Sequence, residues 1–166
     1  MSLGSGETVA LVGMMGSGKS TVARALSLLL GRRVLASDEL VESRFGRPVE
    51  RVFEEEGEAA FRAEERSVVR RISGPVVADL GGGAFCDPGN AEHLLAVGAV
   101  VFLDVSPREA ARRLGAGEGR PLAARWEALW RRRLPLYRRA THRVAVDGLS
   151  PDAVARRVLG ILGAGA

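Results

Sequence analysis

The chain has 166 residues, 46% hydrophobic and 27% charged, with a formal net charge of +4. That length is enough to bury a core in one domain, 1–166. No apolar run approaches the roughly 20 residues that cross a bilayer, Met1–Gly6 lacks the pattern of a signal peptide, and the lone Cys86 permits no internal disulfide. Aromatics are only 5% and the arginines are spread along the chain, so the basic balance is read as serving small anionic ligands, not nucleic acid. A cytoplasmic monomer with no membrane partner is expected.

In chain order, short apolar runs alternate with helical patterns. Strands are predicted at Thr8–Val12, Val34–Ala36, Val76–Leu80, Val100–Val105 and Arg143–Val146. Helices are predicted at Lys19–Leu30, Pro48–Ile72, Asn90–Ala96, Pro107–Leu114, Ala123–Arg139 and Pro151–Leu162, the last capped by Ser150. Asp38 closes the second strand and opens a further helix. Gly57 is expected to break the long charged segment, and Pro135 to kink or end its helix. Strands separated by helices imply an α/β fold, a parallel five-stranded sheet with helices on both faces. Functional groups then gather beyond the C-terminal strand ends. Gly115, Gly117 and Gly119 with Arg120 mark a flexible lid over about 115–124.

Gly13-Met14-Met15-Gly16-Ser17-Gly18-Lys19-Ser20 matches G-x-x-x-x-G-K-[ST], with a strand before it and an apolar helical pattern after it. Its glycines let backbone N–H groups curl around phosphate, and the helix N-terminus adds partial positive charge. Lys19 would bridge the β- and γ-phosphates of ATP, and Ser20 would ligate Mg2+. Of 24 basic residues, 23 are arginine, so Lys19 is the only lysine. An arginine fork does not replace a compact ammonium between phosphates.

Four further patterns follow in order: Asp38, Phe61-Arg62-Ala63-Glu64-Glu65, Gly81-Gly82-Gly83-Ala84, and Pro135-Leu136-Tyr137-Arg138. With these the chain resembles shikimate kinase over nearly its whole length. The resemblance implies a three-layer P-loop kinase fold with a lid, substrate-binding helices over about 38–72, and ATP-dependent phosphorylation of the 3-hydroxyl of shikimate. It implies that Arg62 and Arg138 bind the substrate carboxylate, that Glu65 holds these arginines, and that Gly82 and Gly83 lie against the ring. Asp38 would bind hydroxyls and act as base. Gly13, Gly16, Ser17, Gly18, Lys19, Ser20 and Thr21 would hold the nucleotide phosphates, Arg113 and Pro151 the adenine, and Arg120 the transferring phosphoryl group. Taken alone, an arginine with a glutamate three residues on is ordinarily a solvated ion pair, and Asp38 also suits a helix N-cap.

One departure stands out. Many members carry two aspartates separated by one residue at the end of the second strand, but here the segment is Ala36-Ser37-Asp38. The first of the pair, which helps organise magnesium, is absent. This leaves open a chain that binds nucleotide without turnover. Asp79, one strand later and just before the glycine run, is expected to take over with Ser20 as the metal-side residue.

Overall fold

The structure is a computed structural model that describes residues 3–115 and 121–163, with the backbone alone for 121–123. Its strands are β1 (Thr8–Val12), β2 (Val34–Ala36), β3 (Val77–Asp79), β4 (Gly98–Asp104) and β5 (His142–Ala145). Its helices are α1 (Lys19–Leu30), α2 (Ser37–Phe45), α3 (Val49–Val69), α4 (Pro88–Val97), α5 (Pro107–Arg113), α6 (Pro121–Tyr137) and α7 (Pro151–Ile161). All strand pairings are parallel, in the order β2-β3-β1-β4-β5. Every residue of β1 is buried, which requires cover on both faces of the sheet. The pair α1 and α7 covers one side, and α4, with α3 against it, packs on β1 and β4. Among the described residues, no helix is long and apolar enough to cross a membrane.

This order decides where chemistry can occur. β1 is central, with β3 on one side, so the loop leaving β1 and the loop leaving β3 emerge next to each other at the C-terminal edge. A second cluster of Val41, Val52, Phe61 and Val68 packs α2 against α3 beside that edge. Gly57 lies within α3 at φ 85°, ψ 168°, a backbone state outside the helical region, and so supplies the expected break.

The ends of several elements differ from expectation for local reasons. α4 starts two residues before Asn90, because the Asp87 side chain accepts from the Asn90 N–H at 3.0 Å and Pro88 suits the first turn. β4 begins at Gly98, paired with Thr8, and not at Val100. α6 ends at Tyr137, two residues past Pro135, and leaves Arg138 and Arg139 outside the helix.

A Cβ at Gly98 would fall inside the van der Waals shell of the Thr8 backbone, which is fixed in the sheet. Gly98→Ala is expected to destabilise by about 1–3 kcal/mol. Gly160→Ala, within α7 and facing open space, should be neutral or stabilising by up to about 1 kcal/mol. Denaturant midpoints of the two variants check this, and a Gly98→Ala midpoint like that of the parent would contradict the register.

Candidate active site

The loop between β1 and α1 is wound by Gly13, Gly16 and Gly18 at φ 149°, 84° and 84°. At Gly13 a Cβ would stand 2.7 Å from the Leu103 carbonyl, so no other residue fits there. Lys19 folds back over this loop and donates to the carbonyls of Gly13 at 2.8 Å and Met14 at 3.1 Å. Desolvation lowers its pKa to about 8, against the opposing charges of Asp79 and Asp38, and the Arg133 guanidinium lowers it further. Ser20, next on α1, donates to Asp79 Oδ2 at 2.6 Å. Thr21 donates to the Gly18 carbonyl at 3.0 Å. Ser17 Oγ is buried without a hydrogen-bond partner.

On the other side of the cleft, Gly81-Gly82-Gly83 leaves β3. Each glycine has a charged side chain standing where its Cβ would be. A Cβ on Gly81 would lie 2.5 Å from Asp38 Oδ1, one on Gly82 3.0 Å from Arg133 Nη1, and one on Gly83 2.6 Å from Arg62 Nη2. The sequence led us to expect glycine for the sake of a ligand ring. Before any ligand is considered, a Cβ here would already push the chain's own functional groups out of place. The turn is tied down by Ser37 Oγ, which accepts from the Gly81 N–H at 2.8 Å.

Asp38 is the second residue of α2, whose N-cap is Ala36, and its side chain makes no capping bond. Its side chain is exposed at the rim of the cleft, close against Gly81. Desolvation by the surrounding protein raises its pKa, with the Asp79 charge adding to the rise and Lys19 opposing it. Arg62 donates from Nη1 to Glu65 Oε1 at 2.7 Å, and Glu65 is only 1% exposed. This pair is therefore not the solvated surface pair that its spacing suggests. Burial pushes the Glu65 carboxyl up and Arg62 opposes the shift, while Glu65 Oε2 is left buried without a hydrogen-bond partner.

The second arginine expected at the carboxylate is Arg138. Arg138 lies just past the end of α6, exposed, and its side chain makes no hydrogen bond or ion pair with the described residues. Successive residues of a helical turn face different directions, and its neighbour Tyr137 is the one that faces inward. Tyr137 is fully buried, stacks on Phe102 at 5.1 Å and donates its hydroxyl to the Gly82 carbonyl. Four residues earlier, on the same face, Arg133 points at the glycine turn and reaches within 4.0 Å of Met14 Sδ. A helical stripe of Trp126, Arg133 and Tyr137 was the available signal. Trp126 Nε1 donates to the Met15 carbonyl at 2.9 Å, so the same face of α6 grips both loops.

Beyond the phosphate loop, Gly18, Thr21, Arg113, Leu149, Pro151 and Val154 line one pocket, bringing together the two residues expected at adenine. Arg113 spans it, donating to the Val146 carbonyl at 3.0 Å and the Gly16 carbonyl at 3.3 Å and pairing with Glu109 at 2.8 Å. A second cleft joins Lys19, Ser20, Ala36, Asp38, Asp79 and Gly82. Among the described residues, no three His, Cys, Asp or Glu side chains form a metal cage, so a cation here would need phosphate oxygens to complete its shell. Arg120 and most of the expected lid lie outside the described residues.

A family model described as shikimate kinase matches residues 15–162. The shikimate kinase of Mycobacterium avium (strain 104) is 42% identical over 158 residues, covering 90% of this chain and 89% of that one. The solved shikimate kinase from Acinetobacter baumannii in complex with shikimate superposes with a TM-score of 0.88 at 32% identity, covering 95% of this chain and 93% of that chain. The Aquifex aeolicus shikimate kinase gives 0.82 at 30% identity, covering 95% and 96% respectively.

Lys19→Met is expected to lose at least about a hundredfold in nucleotide-dependent turnover. The thermal midpoint should hardly move, because the ammonium is desolvated and bonded only to its own loop. Parent-like turnover in that variant would overturn the assignment of the phosphate loop.

Proposed function

The chain belongs to the shikimate kinase family, and on that premise we propose that it transfers the γ-phosphoryl group of ATP to the 3-hydroxyl of shikimate. The observation that carries this reading is the placement of Asp38, Arg133 and Arg62 side by side on Gly81-Gly82-Gly83. One carboxylate and two guanidinium groups suit a small acceptor with hydroxyls at one end and a carboxylate at the other.

Lys19 leaves the loop carbonyls for the β- and γ-phosphate oxygens, with the loop N–H groups and the start of α1 behind it. Arg113 and Pro151 flank the base. Arg62 and Arg133 hold the acceptor carboxylate, and Glu65 fixes Arg62 from the buried side. This leaves the 3-hydroxyl toward Asp38, at the phosphate end of the cleft. As its oxygen bonds to the γ-phosphorus, the bond from that phosphorus to the β–γ bridging oxygen breaks, ADP leaves, and the hydroxyl proton passes to Asp38. Because burial and Asp79 raise the pKa of Asp38, the rate should fall on the acid side at a pH above the ordinary carboxylate range. Arg120 is assigned to the transferring phosphoryl group on the sequence pattern alone.

Mg2+ is part of the reading because the Ser20 hydroxyl and the Asp79 carboxylate are bonded to each other in the cleft that Lys19 lines, oxygen donors that suit a hard cation. When bound it would neutralise charge on the phosphate oxygens. An intact phosphate loop, base and clamp argue for turnover over a chain that only binds nucleotide. The reading includes a one-domain monomer in the cytoplasm, where ATP would be supplied.

ADP release coupled to an acceptor panel tests the function: release should require shikimate, and equal rates with gluconate or a nucleoside monophosphate would contradict it. The clamp has its own check. Arg62→Ala and Arg133→Ala should each raise the KM for shikimate roughly ten- to a hundredfold, the loss of a charge-assisted hydrogen bond of about 1.5–3 kcal/mol. The KM for ATP should stay nearly constant. Arg138→Ala should resemble the parent; if it alone raises the shikimate KM, the clamp belongs to Arg138 after all.

A further inference from the structure

Ala36 and Asp79 are direct partners in the pairing of β2 with β3. Parallel partners present their side chains to the same face of a sheet, and both residues line the cleft that holds Lys19, Ser20 and Asp38. The carboxylate missing from β2 therefore has a counterpart on the same rung, one strand over. That shift has a direction. In the order β2-β3-β1, position 79 adjoins Leu11 of the strand that carries the phosphate loop, whereas position 36 is a further roughly 4.8 Å away. From there Asp79 reaches Ser20 at 2.6 Å.

We infer that Asp79 is the residue that positions the nucleotide's magnesium in this chain, replacing across one sheet rung the acid that Ala36 does not supply. It acts through Ser20. By accepting the hydrogen bond of the Ser20 hydroxyl, Asp79 turns the lone pairs of Oγ toward the phosphates, and its other oxygen would accept from water on the cation. The surrounding charges agree: Asp79 faces Lys19 and Asp38, on which its charge acts, and its side-chain bond among the described residues is to the Ser20 hydroxyl. The rung carries one carboxylate. The alanine at 36 keeps a second acid out of a cleft that already holds Asp38.

The inference rests on the nucleotide half of the proposed function and not on the acceptor, so its test omits shikimate. Binding of a non-hydrolysable ATP analogue is titrated with Mn2+ present and, separately, with metal removed by EDTA, while free Mn2+ is followed by electron paramagnetic resonance. Asp79→Asn keeps an oxygen that accepts from Ser20 but loses the charge. It should weaken Mn2+ binding to the enzyme–analogue complex by about ten- to a hundredfold. In EDTA the same variant should bind the analogue as tightly as the parent or more tightly, because a carboxylate facing metal-free triphosphate only repels it. Adding Ala36→Asp should restore at least about threefold of the lost Mn2+ affinity. Equal weakening with and without metal would make Asp79 a structural residue and overturn the inference. So would unchanged Mn2+ affinity, or a double variant with no recovery. Thermal melts accompany each variant; should Asp79→Asn fail to fold, Asp79→Ser carries the same expectations.

Discussion

Three absent Cβ atoms shape this site. At Gly81, Gly82 and Gly83 the backbone is approached so closely by Asp38, Arg133 and Arg62 that an added Cβ would displace the ends of those side chains. Three consecutive glycines after a buried strand are costly in conformational entropy, and the cost is offset only where such close approach is required. The turn gathers groups from α2, α3 and the distant α6 onto one short stretch of backbone. The sheet order then sets that turn beside the phosphate loop, since β3 neighbours β1. The glycine turn and the phosphate loop thus meet at one edge of the sheet.

The helix α6 ties the two loops to each other. Its indole at Trp126 holds the Met15 carbonyl, and its phenol at Tyr137 holds the Gly82 carbonyl. Arg133 lies between them on the same face, its direction fixed by two buried aromatic anchors. α6 also follows directly on the segment expected to form the lid.

The legible parts of the sequence were those whose spacing is local. The phosphate loop and α1 were read to the residue, because glycine positions and a 3.6-residue apolar period lie within one stretch of chain. The bounds of β1 and β2 were read as well. What was missed depends on geometry that adjacency in sequence does not carry. Arg133 shares the inward face of Tyr137, four residues on, a helical relation that adjacency hides. The pairing of Arg62 with Glu65 was visible at three-residue spacing, but its burial was not, because burial comes from elements packed above it. Asp79 could be placed near the metal side by strand position. Its facing of Ala36 needed the register of β2 on β3.

The central claim is that the glycine turn holds the acceptor by way of the side chains packed on it, and Gly83→Ala tests that claim most directly. The new methyl would strike the mobile end of Arg62 and not backbone, so the fold can absorb it while the guanidinium is displaced. Calorimetric titration should show shikimate affinity at least about tenfold weaker, with ATP-analogue affinity and thermal midpoint near those of the parent. A Gly83→Ala protein that binds shikimate as tightly as the parent would contradict the account.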